Sequence, residues 1–489
     1  MKPWKAFSAL FAGSLAVIAA AQPAHAEYQA GEVIVKYKSG SVRTRAVMND
    51  LYERSGVRDV HRLGTMMPDF ERLSLNEGVS VQDAIRSLEA DGIVEYAQPN
   101  YIMSIPEGPH SFEPPPGSHP LDPALPCIPG MDIPNCDPNA CIIPGLPFPP
   151  GCHDSGGGGG GGGGDDPGNP PAQRPALQDA PADVNPPVAD PNLSQAWGIA
   201  KIGADKAWAT HKGSKDFVVA VIDTGIDYNH EDLAFNVWRN PNPTQNDIVG
   251  FDFIHNDGLP FDDQGHGTHT SGTVGATGGN GKGVSGVNQR VSIMAVKFLS
   301  SAGSGTTADA IKGIDYAIEH GARVLSNSWG GTGDDDNNAL HDAIDRAKAK
   351  DVLFVAAAGN DGVSNDSGSQ VSYPAGFDND NLIAVAASDS NDGMANFSNY
   401  GVVSTDLAAP GVSVYSSTPG NHYASESGTS MACPHVAGAA ALIWSKNPSL
   451  TYKQVKDILL GTVDKVPAFS GKVLTGGRLN VMKALRSME

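Results

Sequence analysis

The sequence predicts two α/β units that are separated by a segment rich in proline, glycine and cysteine. The larger unit, residues 191–489, is expected to be a three-layer α/β/α domain with a mainly parallel sheet, because its strands are apolar without polar alternation. The smaller unit, residues 27–104, alternates strand and helix patterns in a β-α-β-β-α-β order, which predicts a small ferredoxin-like α+β domain. Residues 105–190 are dominated by proline and contain nine consecutive glycines at 156–164. That composition predicts a disordered linker.

The first 26 residues are typical of a signal peptide. Lys2 and Lys5 precede a run of apolar and small residues, and Ala24-His25-Ala26 matches a cleavage site. We therefore expect a secreted protein, extracellular or periplasmic, without a membrane anchor. Export permits disulfide bonds. The linker contains four clustered cysteines, Cys127, Cys136, Cys141 and Cys152, which allow three different pairings.

The composition limits the partners of the protein. A hydrophobic content of 40% is enough for a large core, and the formal net charge of −21 argues against nucleic acid, whose phosphates would be repelled. An acidic surface also suits hard cations such as calcium. No organic cofactor is expected, and a monomer is predicted.

Hydrophobic patterns place the elements of both units. In the small unit we predict strands at 32–38, 70–75 and 93–103, with helices at 42–55 and 81–90. In the large unit we predict buried strands at 217–223, 291–299, 323–329, 352–360 and 382–389, with helices at 307–319 and 338–349. Ligand sites of such sheets lie beyond the carboxyl ends of the strands.

Four polar residues stand at these element ends. Asp223 and Asn360 each follow a buried strand, His266 precedes a segment of small residues, and Ser430 lies in the first turn of a predicted helix. Taken singly, each is also an ordinary turn or cap residue. Together they supply a carboxylate, a base, a nucleophile and an amide donor, which is the set that serine catalysis requires. Their chain order is Asp, His, Ser, and Gly428 to Ala432 is not a G-x-S-x-G elbow.

The motifs around these residues resemble those of the subtilisin-like (subtilase) serine endopeptidases. The matching segments are VAVIDTGID, GHGTHTSGT, NSWGG, VAAAGN and GTSMACPHVAG. The resemblance implies that Asp223 orients the base His266, that Ser430 is the nucleophile, and that Asn360 donates to the oxyanion. His269 is expected to be structural, and Cys433 to be a buried, inert thiol.

The same resemblance implies how substrate binds. The family binds protein and peptide substrates as an added strand, and two segments match its flanking strands. A specificity pocket is expected to include Gly359, Ala358 and Ser372, with a cis proline after Tyr373. The flanking segments comprise Gly303, Ser304 and Gly305 on one side and Ser328, Trp329 and Gly330 on the other.

Structural calcium is also implied by the resemblance. Asp190, Asp232 and Asn280 match calcium-binding positions of relatives, and the loop at 278–284 would add carbonyl oxygens. A second calcium site is possible around Asp252 and Asp257, although His255 interrupts the matching sequence pattern.

Residues 27–104 resemble the family's propeptide, which acts as a folding chaperone and an intramolecular inhibitor. Its end is expected to occupy the substrate cleft until self-cleavage at a point between residues 104 and 190.

Two alternative functions remain open. One is a catalytically inactive scaffold, although all triad residues are present, and the other is a processing protease with a single target.

Overall fold

The computed structural model describes residues 26–64, 66–106, 174–332, 337–368 and 370–489. The predicted signal peptide, apart from residue 26, and most of the predicted linker lie outside the described residues, as do the four clustered cysteines. None of the helices in the described ranges is long and apolar enough to cross a membrane.

The small domain is an antiparallel sheet with two helices. Thr44 and Ser80 cap the helices through their side-chain oxygens. The four strands are arranged in the order β2-β3-β1-β4, which confirms the predicted ferredoxin-like fold. The elements are β1 (Tyr28–Tyr37), α1 (Arg45–Arg54), β2 (Val57–Arg62), β3 (Phe70–Leu75), α2 (Val81–Glu89) and β4 (Val94–Ser104).

The large domain contains the remaining elements. Its helices are α3 (Trp197–Lys201), α4 (Ala204–Ala207), α5 (His266–Gly275), α6 (Thr307–Glu319), α7 (Asn338–Ala349), α8 (Thr429–Lys446), α9 (Tyr452–Gly461) and α10 (Val481–Arg486). Its strands are β5 (Gly213–Asp223), β6 (Gly250–Asp252), β7 (Arg290–Lys297), β8 (Ser304–Thr306), β9 (Val324–Asn327), β10 (Gly331–Thr332), β11 (Leu353–Ala357), β12 (Ser372–Tyr373), β13 (Leu382–Ser388), β14 (Leu407–Pro410), β15 (Val414–Thr418), β16 (His422–Glu426), β17 (Asp464–Lys465) and β18 (Gly477–Arg478).

Nine of these strands form one sheet in the order β17-β18-β14-β13-β11-β9-β5-β7-β6. All neighbours are parallel except β17 and β18. Alternate residues of β5 enter different cores: Val219 and Val221 pack with α8, while Ala220 and Ile222 pack with α6 and α7. Both faces are therefore covered, which confirms the three-layer α/β/α prediction.

The small domain docks on the large one by extending a sheet. β4 pairs antiparallel with β8, with Ile102 opposite Thr306 and Ser104 opposite Ser304. Side chains of β4 also cap two helices of the large domain. Gln98 Oε1 accepts from Ala339 N–H at 2.8 Å, in the first turn of α7. Asn100 Oδ1 accepts from Ala308 N–H at 2.9 Å, at the start of α6.

The last part of the predicted linker, residues 174–190, is held against the large domain. The Arg174 guanidinium donates to Asp252 Oδ2 at 3.1 Å, to Asp257 Oδ1 at 2.9 Å and to Leu259 O at 3.1 Å. Farther along, Val188 exchanges two backbone hydrogen bonds with the loop at 279–281. This segment is ordered because its ion pairs and backbone hydrogen bonds offset the conformational entropy that is lost on ordering. The composition of the segment alone would not offset that loss.

Replacing Arg174 with Gln is expected to destabilise the protein. Asp252 is fully buried, so losing its guanidinium partner leaves a carboxylate less well satisfied. We expect the free energy of unfolding to fall by about 2 kcal/mol. The melting temperature of the full chain measures this. Lys453→Gln, which removes an exposed pair with Asp457, is the control and should change stability little. Equal melting temperatures for the two variants would contradict the role of Arg174.

Candidate active site

Asp223 and His266 meet at the carboxyl end of β5. His266 Nδ1 lies 2.8 Å from Asp223 Oδ1, and Asp223 is fully buried. The same Asp223 oxygen accepts from Thr224 N–H at 2.7 Å. Because a carboxylate at Nδ1 favours the tautomer that carries its proton there, His266 Nε2 is free to act as a base. Nε2 is buried and has no hydrogen-bond partner among the described residues.

Three side chains that the sequence reasoning missed hold this pair in position. Asp262 accepts from Thr268 N–H at 2.8 Å and from Gly265 N–H at 2.8 Å, so it anchors the first turn of α5, which begins at His266. The Thr224 hydroxyl donates a hydrogen bond to the same Asp262 carboxylate at 2.8 Å. Lys297, which is fully buried, donates to Thr224 O at 2.6 Å. The DDQGH stretch and a lysine ending an apolar strand were the available signals.

The charge around His266 is negative. Burial of the imidazole opposes its protonation, but the charge and hydrogen bond of Asp223 outweigh burial, so the pKa of His266 is raised above its ordinary value of 6.5. The carboxylates of Glu426 and Asp262 add to this effect. The site therefore stabilises the imidazolium that forms when the ring accepts a proton.

Ser430 is the second residue of α8, where backbone N–H groups lack helical partners. Its side chain is 2% exposed, and its hydroxyl donates to Ser328 O at 3.2 Å. Ser328 Oγ in turn donates to Ser430 O at 2.8 Å. Two reciprocal hydrogen bonds thus join the start of α8 to the segment that follows β9.

Asn360 is oriented by its neighbours in α8. Its side-chain oxygen accepts from Thr429 N–H at 2.9 Å and from the Thr429 hydroxyl at 2.8 Å. With that oxygen occupied, the amide Nδ2 points the other way and donates to Pro106 O at 3.2 Å. A peptide carbonyl therefore lies beside an amide donor that is itself bonded to Thr429, the residue before Ser430.

The predicted substrate-binding segments flank one extended strand. Ile105 N–H donates to Gly303 O at 3.0 Å, while Ser104 and Gly330 exchange two backbone hydrogen bonds of 2.9 Å. Gly305 allows the backbone at this position to lie close to Phe298 O, since a Cβ there would lie 2.0 Å from that oxygen.

The side chains of the predicted pocket contribute unequally. The Trp329 indole is fully buried and packs against Phe298 with ring centroids 4.9 Å apart, so only the backbone of this residue faces the cleft segment. Gly359 has a φ of 104°, and a Cβ there would lie 3.0 Å from Ser372 Cβ. The Tyr373–Pro374 peptide bond is cis.

Other reactive side chains near Ser430 are buried. Cys433 is fully buried, and burial raises the pKa of its thiol to about 11. Burial lowers the pKa of His435 to about 4, and its Nδ1 lies 2.8 Å from Met431 O within the same helix. His269 Nε2 lies 3.0 Å from Val414 O. Cys433 and His435 are therefore suited to packing rather than to proton transfer at neutral pH.

The three residues predicted to bind calcium come together. Asn280 N–H donates to Asp190 Oδ1 at 3.0 Å, and Asn280 Nδ2 donates to Asp232 Oδ1 at 2.8 Å. Both carboxylates are buried, and neither has an ion-pair partner in the described residues. Burial and then the charge of Asp190 raise the pKa of Asp232 to about 7. The carboxylate oxygens also accept from Gly279 N–H and Val284 N–H, and no cationic side chain in the described part of the chain joins them. Carboxylate oxygens are ligands that calcium prefers. Across the described ranges, no group of three or more His, Cys, Asp or Glu side chains with metal-binding geometry occurs.

Comparisons with known proteins agree with this geometry. The model of the subtilase family matches residues 214–476, and that of the fervidolysin N-terminal prodomain matches residues 14–100. The chain is 41% identical over 293 residues to thermitase of Thermoactinomyces vulgaris, an alignment that covers 60% of this chain and 96% of thermitase. It is 44% identical over 266 residues to subtilisin DY of Bacillus licheniformis, covering 54% of this chain and 90% of that relative. The chain therefore belongs to the subtilase family of serine endopeptidases and, with its N-terminal prodomain, is a zymogen.

Proposed function

We propose that the protein is a secreted endopeptidase that hydrolyses peptide bonds in proteins through an acyl-enzyme intermediate on Ser430. The observation that carries this proposal is the amide of Asn360, which donates to a peptide carbonyl and is itself bonded to Thr429, the residue before Ser430. His266 Nε2, the proposed base, has no competing partner among the described residues. Secretion is supported by the N-terminal sequence pattern.

The proposed first step is attack by Ser430 Oγ on a substrate carbonyl. The hydroxyl leaves Ser328 O and gives its proton to His266 Nε2, which has no competing partner among the described side chains. Asp223 keeps the ring in the required tautomer and stabilises the imidazolium. The protonated His266 then transfers the proton to the leaving amine, and water hydrolyses the ester by the reverse roles.

Charge on the attacked oxygen is stabilised by Asn360. Its amide is held by two hydrogen bonds from Thr429, so the donor is oriented before reaction and needs no rearrangement. The N–H of Ser430, in the first turn of α8, is the second proposed donor.

The prodomain is proposed to inhibit the enzyme intramolecularly. Its last strand lies between Gly303 and Gly330, where a substrate strand would bind, so the two compete for the same hydrogen bonds.

The fall in kcat should be larger when the proposed nucleophile is removed than when the oxyanion donor is removed. Ser430→Ala is expected to lower kcat about a million-fold. Asn360→Ala should lower kcat about 100- to 1000-fold, the range established for loss of one oxyanion donor in a subtilisin, with little change in KM. Steady-state hydrolysis of a peptide substrate measures both. Wild-type activity of Ser430→Ala would contradict the assignment, and a change confined to KM would contradict the role of Asn360.

The pH dependence should reflect the acidic surroundings of His266. A base acts only when deprotonated, and the raised pKa of His266 places the acidic limb of kcat/KM above pH 6.5. Glu426→Gln removes one charge that raises this pKa, so its limb should move to lower pH. Asp457→Asn, at an exposed position of α9, is the control and should leave the limb unchanged. An unmoved limb in Glu426→Gln would contradict the electrostatic argument.

We infer one structural calcium site, at Asp190, Asp232 and Asn280. Two buried carboxylates without a cationic side chain call for a counter-charge, and calcium prefers carboxylate, amide and carbonyl oxygens. The region of Asp252 and Asp257 does not fit calcium, because the Arg174 guanidinium already occupies both carboxylates and Leu259 O.

Calcium removal is therefore expected to destabilise the folded protein. With calcium 100-fold above its dissociation constant, binding contributes about 2.7 kcal/mol, so a chelator should lower the melting temperature. Asp232→Asn should abolish most of this difference, whereas the exposed Asp216→Asn should preserve it. Equilibrium dialysis should find one bound calcium per chain. Two bound ions, or a melt insensitive to chelator, would contradict the inference.

A further inference from the structure

We propose that the zymogen cleaves its own chain at the peptide bond between residues 106 and 107, so that the prodomain ends at Pro106. This inference rests on the proposed function of Ser430, His266 and Asn360. Neither family match defines the processing point, because one ends at residue 100 and the other begins at residue 214.

The position of the bond follows from the hydrogen bonds of the strand. Ser104 pairs through both N–H and C=O with Gly330, and Ile105 N–H donates to Gly303 O. These bonds alternate between the two sides of the cleft, as expected for a strand added between two others. The next carbonyl, that of Pro106, lies 3.2 Å from the Asn360 amide. In the described residues no other prodomain carbonyl accepts from Asn360.

Side chains fix the register of the strand. Met103 is 4% exposed, packed in the core cluster that also contains Phe298 and Trp329. Ile105 is packed over Gly303, where a Cβ would lie 3.0 Å from Ile105 Cδ1. Because a slip by one residue would turn the buried Met103 away from this cluster, the register selects one bond.

The reaction balances as an acyl transfer followed by hydrolysis. Ser430 Oγ bonds to the Pro106 carbonyl carbon, and the C–N bond to residue 107 breaks. The Ser430 proton passes through His266 to that nitrogen, which becomes a new amino terminus. Water then cleaves the ester, leaving a carboxylate on Pro106 and restoring the Ser430 hydroxyl.

The anchored segment indicates what the mature chain keeps. Arg174 binds Asp252 and Asp257, and Asp190 accepts N–H groups of the loop at 279–281. Cleavage after Arg174 would remove the Arg174 contacts while leaving those of Asp190, whereas cleavage at residue 106 leaves both sets intact. The mature enzyme is therefore inferred to retain Arg174 and to carry an N-terminal extension rich in proline, glycine and cysteine.

The test is the carboxyl terminus of the released prodomain, which later trimming of the extension does not alter. Full-length wild-type zymogen is allowed to process, samples are quenched early, and the prodomain fragment is mapped by mass spectrometry. Its last residue is expected to be Pro106, and every mature form should contain Arg174. A prodomain that ends elsewhere, or a mature chain that begins beyond Arg174, would overturn the corresponding part.

Variants of Ser104 test whether strand pairing presents the bond. Ser104→Pro removes the N–H that donates to Gly330 O and should slow self-cleavage at least tenfold, while Ser104→Ala keeps it and should process normally. Equal rates for the two would overturn the mechanism of presentation. Trans-activation of Ser104→Pro by added mature enzyme shows that this variant folds. Activity on a separate peptide, combined with a different cleavage point, would refute only this inference, whereas normal processing of Ser430→Ala would refute the proposed function itself.

Discussion

The fully buried carboxylate of Asp223, at the end of β5, is the constraint on which the site depends. A charge removed from water needs hydrogen bonds or a charged partner, and here it has the Thr224 N–H and the His266 imidazole. Those two donors in turn require the turn at 223–225 and the start of α5 to be held together. Asp262 and Lys297 supply that connection through Thr224. The parallel sheet makes this arrangement possible, because its strand ends bring distant residues to one edge.

Strand addition explains both the inhibition by the prodomain and the binding of substrate. The backbone groups of Gly303 and Gly330, which pair with Ile105 and Ser104 here, can pair with any extended chain, so affinity comes from the main chain and selection from the side chains. The prodomain binds more broadly than a peptide could, since Gln98 and Asn100 also cap α7 and α6. After the proposed cleavage, the same strand would still be complementary to the cleft, so the released prodomain would compete with substrate.

Sequence reasoning located most of the fold because buried strands are long apolar runs. Helices 307–319 and 338–349 were predicted with the bounds that the structure has, whereas the strand predicted at 323–329 ends at Asn327. Trp329 was assigned to the cleft, yet its indole belongs to the core. The role of Arg174 could not be predicted from its local sequence, since it follows a segment of linker composition and its carboxylate partners lie far along the chain, at the end of β6 and in the loop that follows. Pairings of this kind depend on tertiary structure, which periodicity does not encode. That the four clustered cysteines form disulfide bonds remains a prediction.

Two clusters of carboxylates in this domain, Asp252 with Asp257 and Asp190 with Asp232, each contain a fully buried member and differ in whether the chain itself supplies a cation. At Asp252 and Asp257 the chain supplies its own cation, Arg174, whose effective concentration is fixed by covalent attachment. At Asp190 and Asp232 no side-chain cation is present among the described residues, so with the proposed calcium site the stability there would vary with the concentration of free calcium. The contribution of the Arg174 guanidinium to stability depends on the chain instead, because residues 174–190 must stay attached to the domain. Proteolytic trimming of the extension, rather than chelation, is therefore the event that would weaken the Asp252 region.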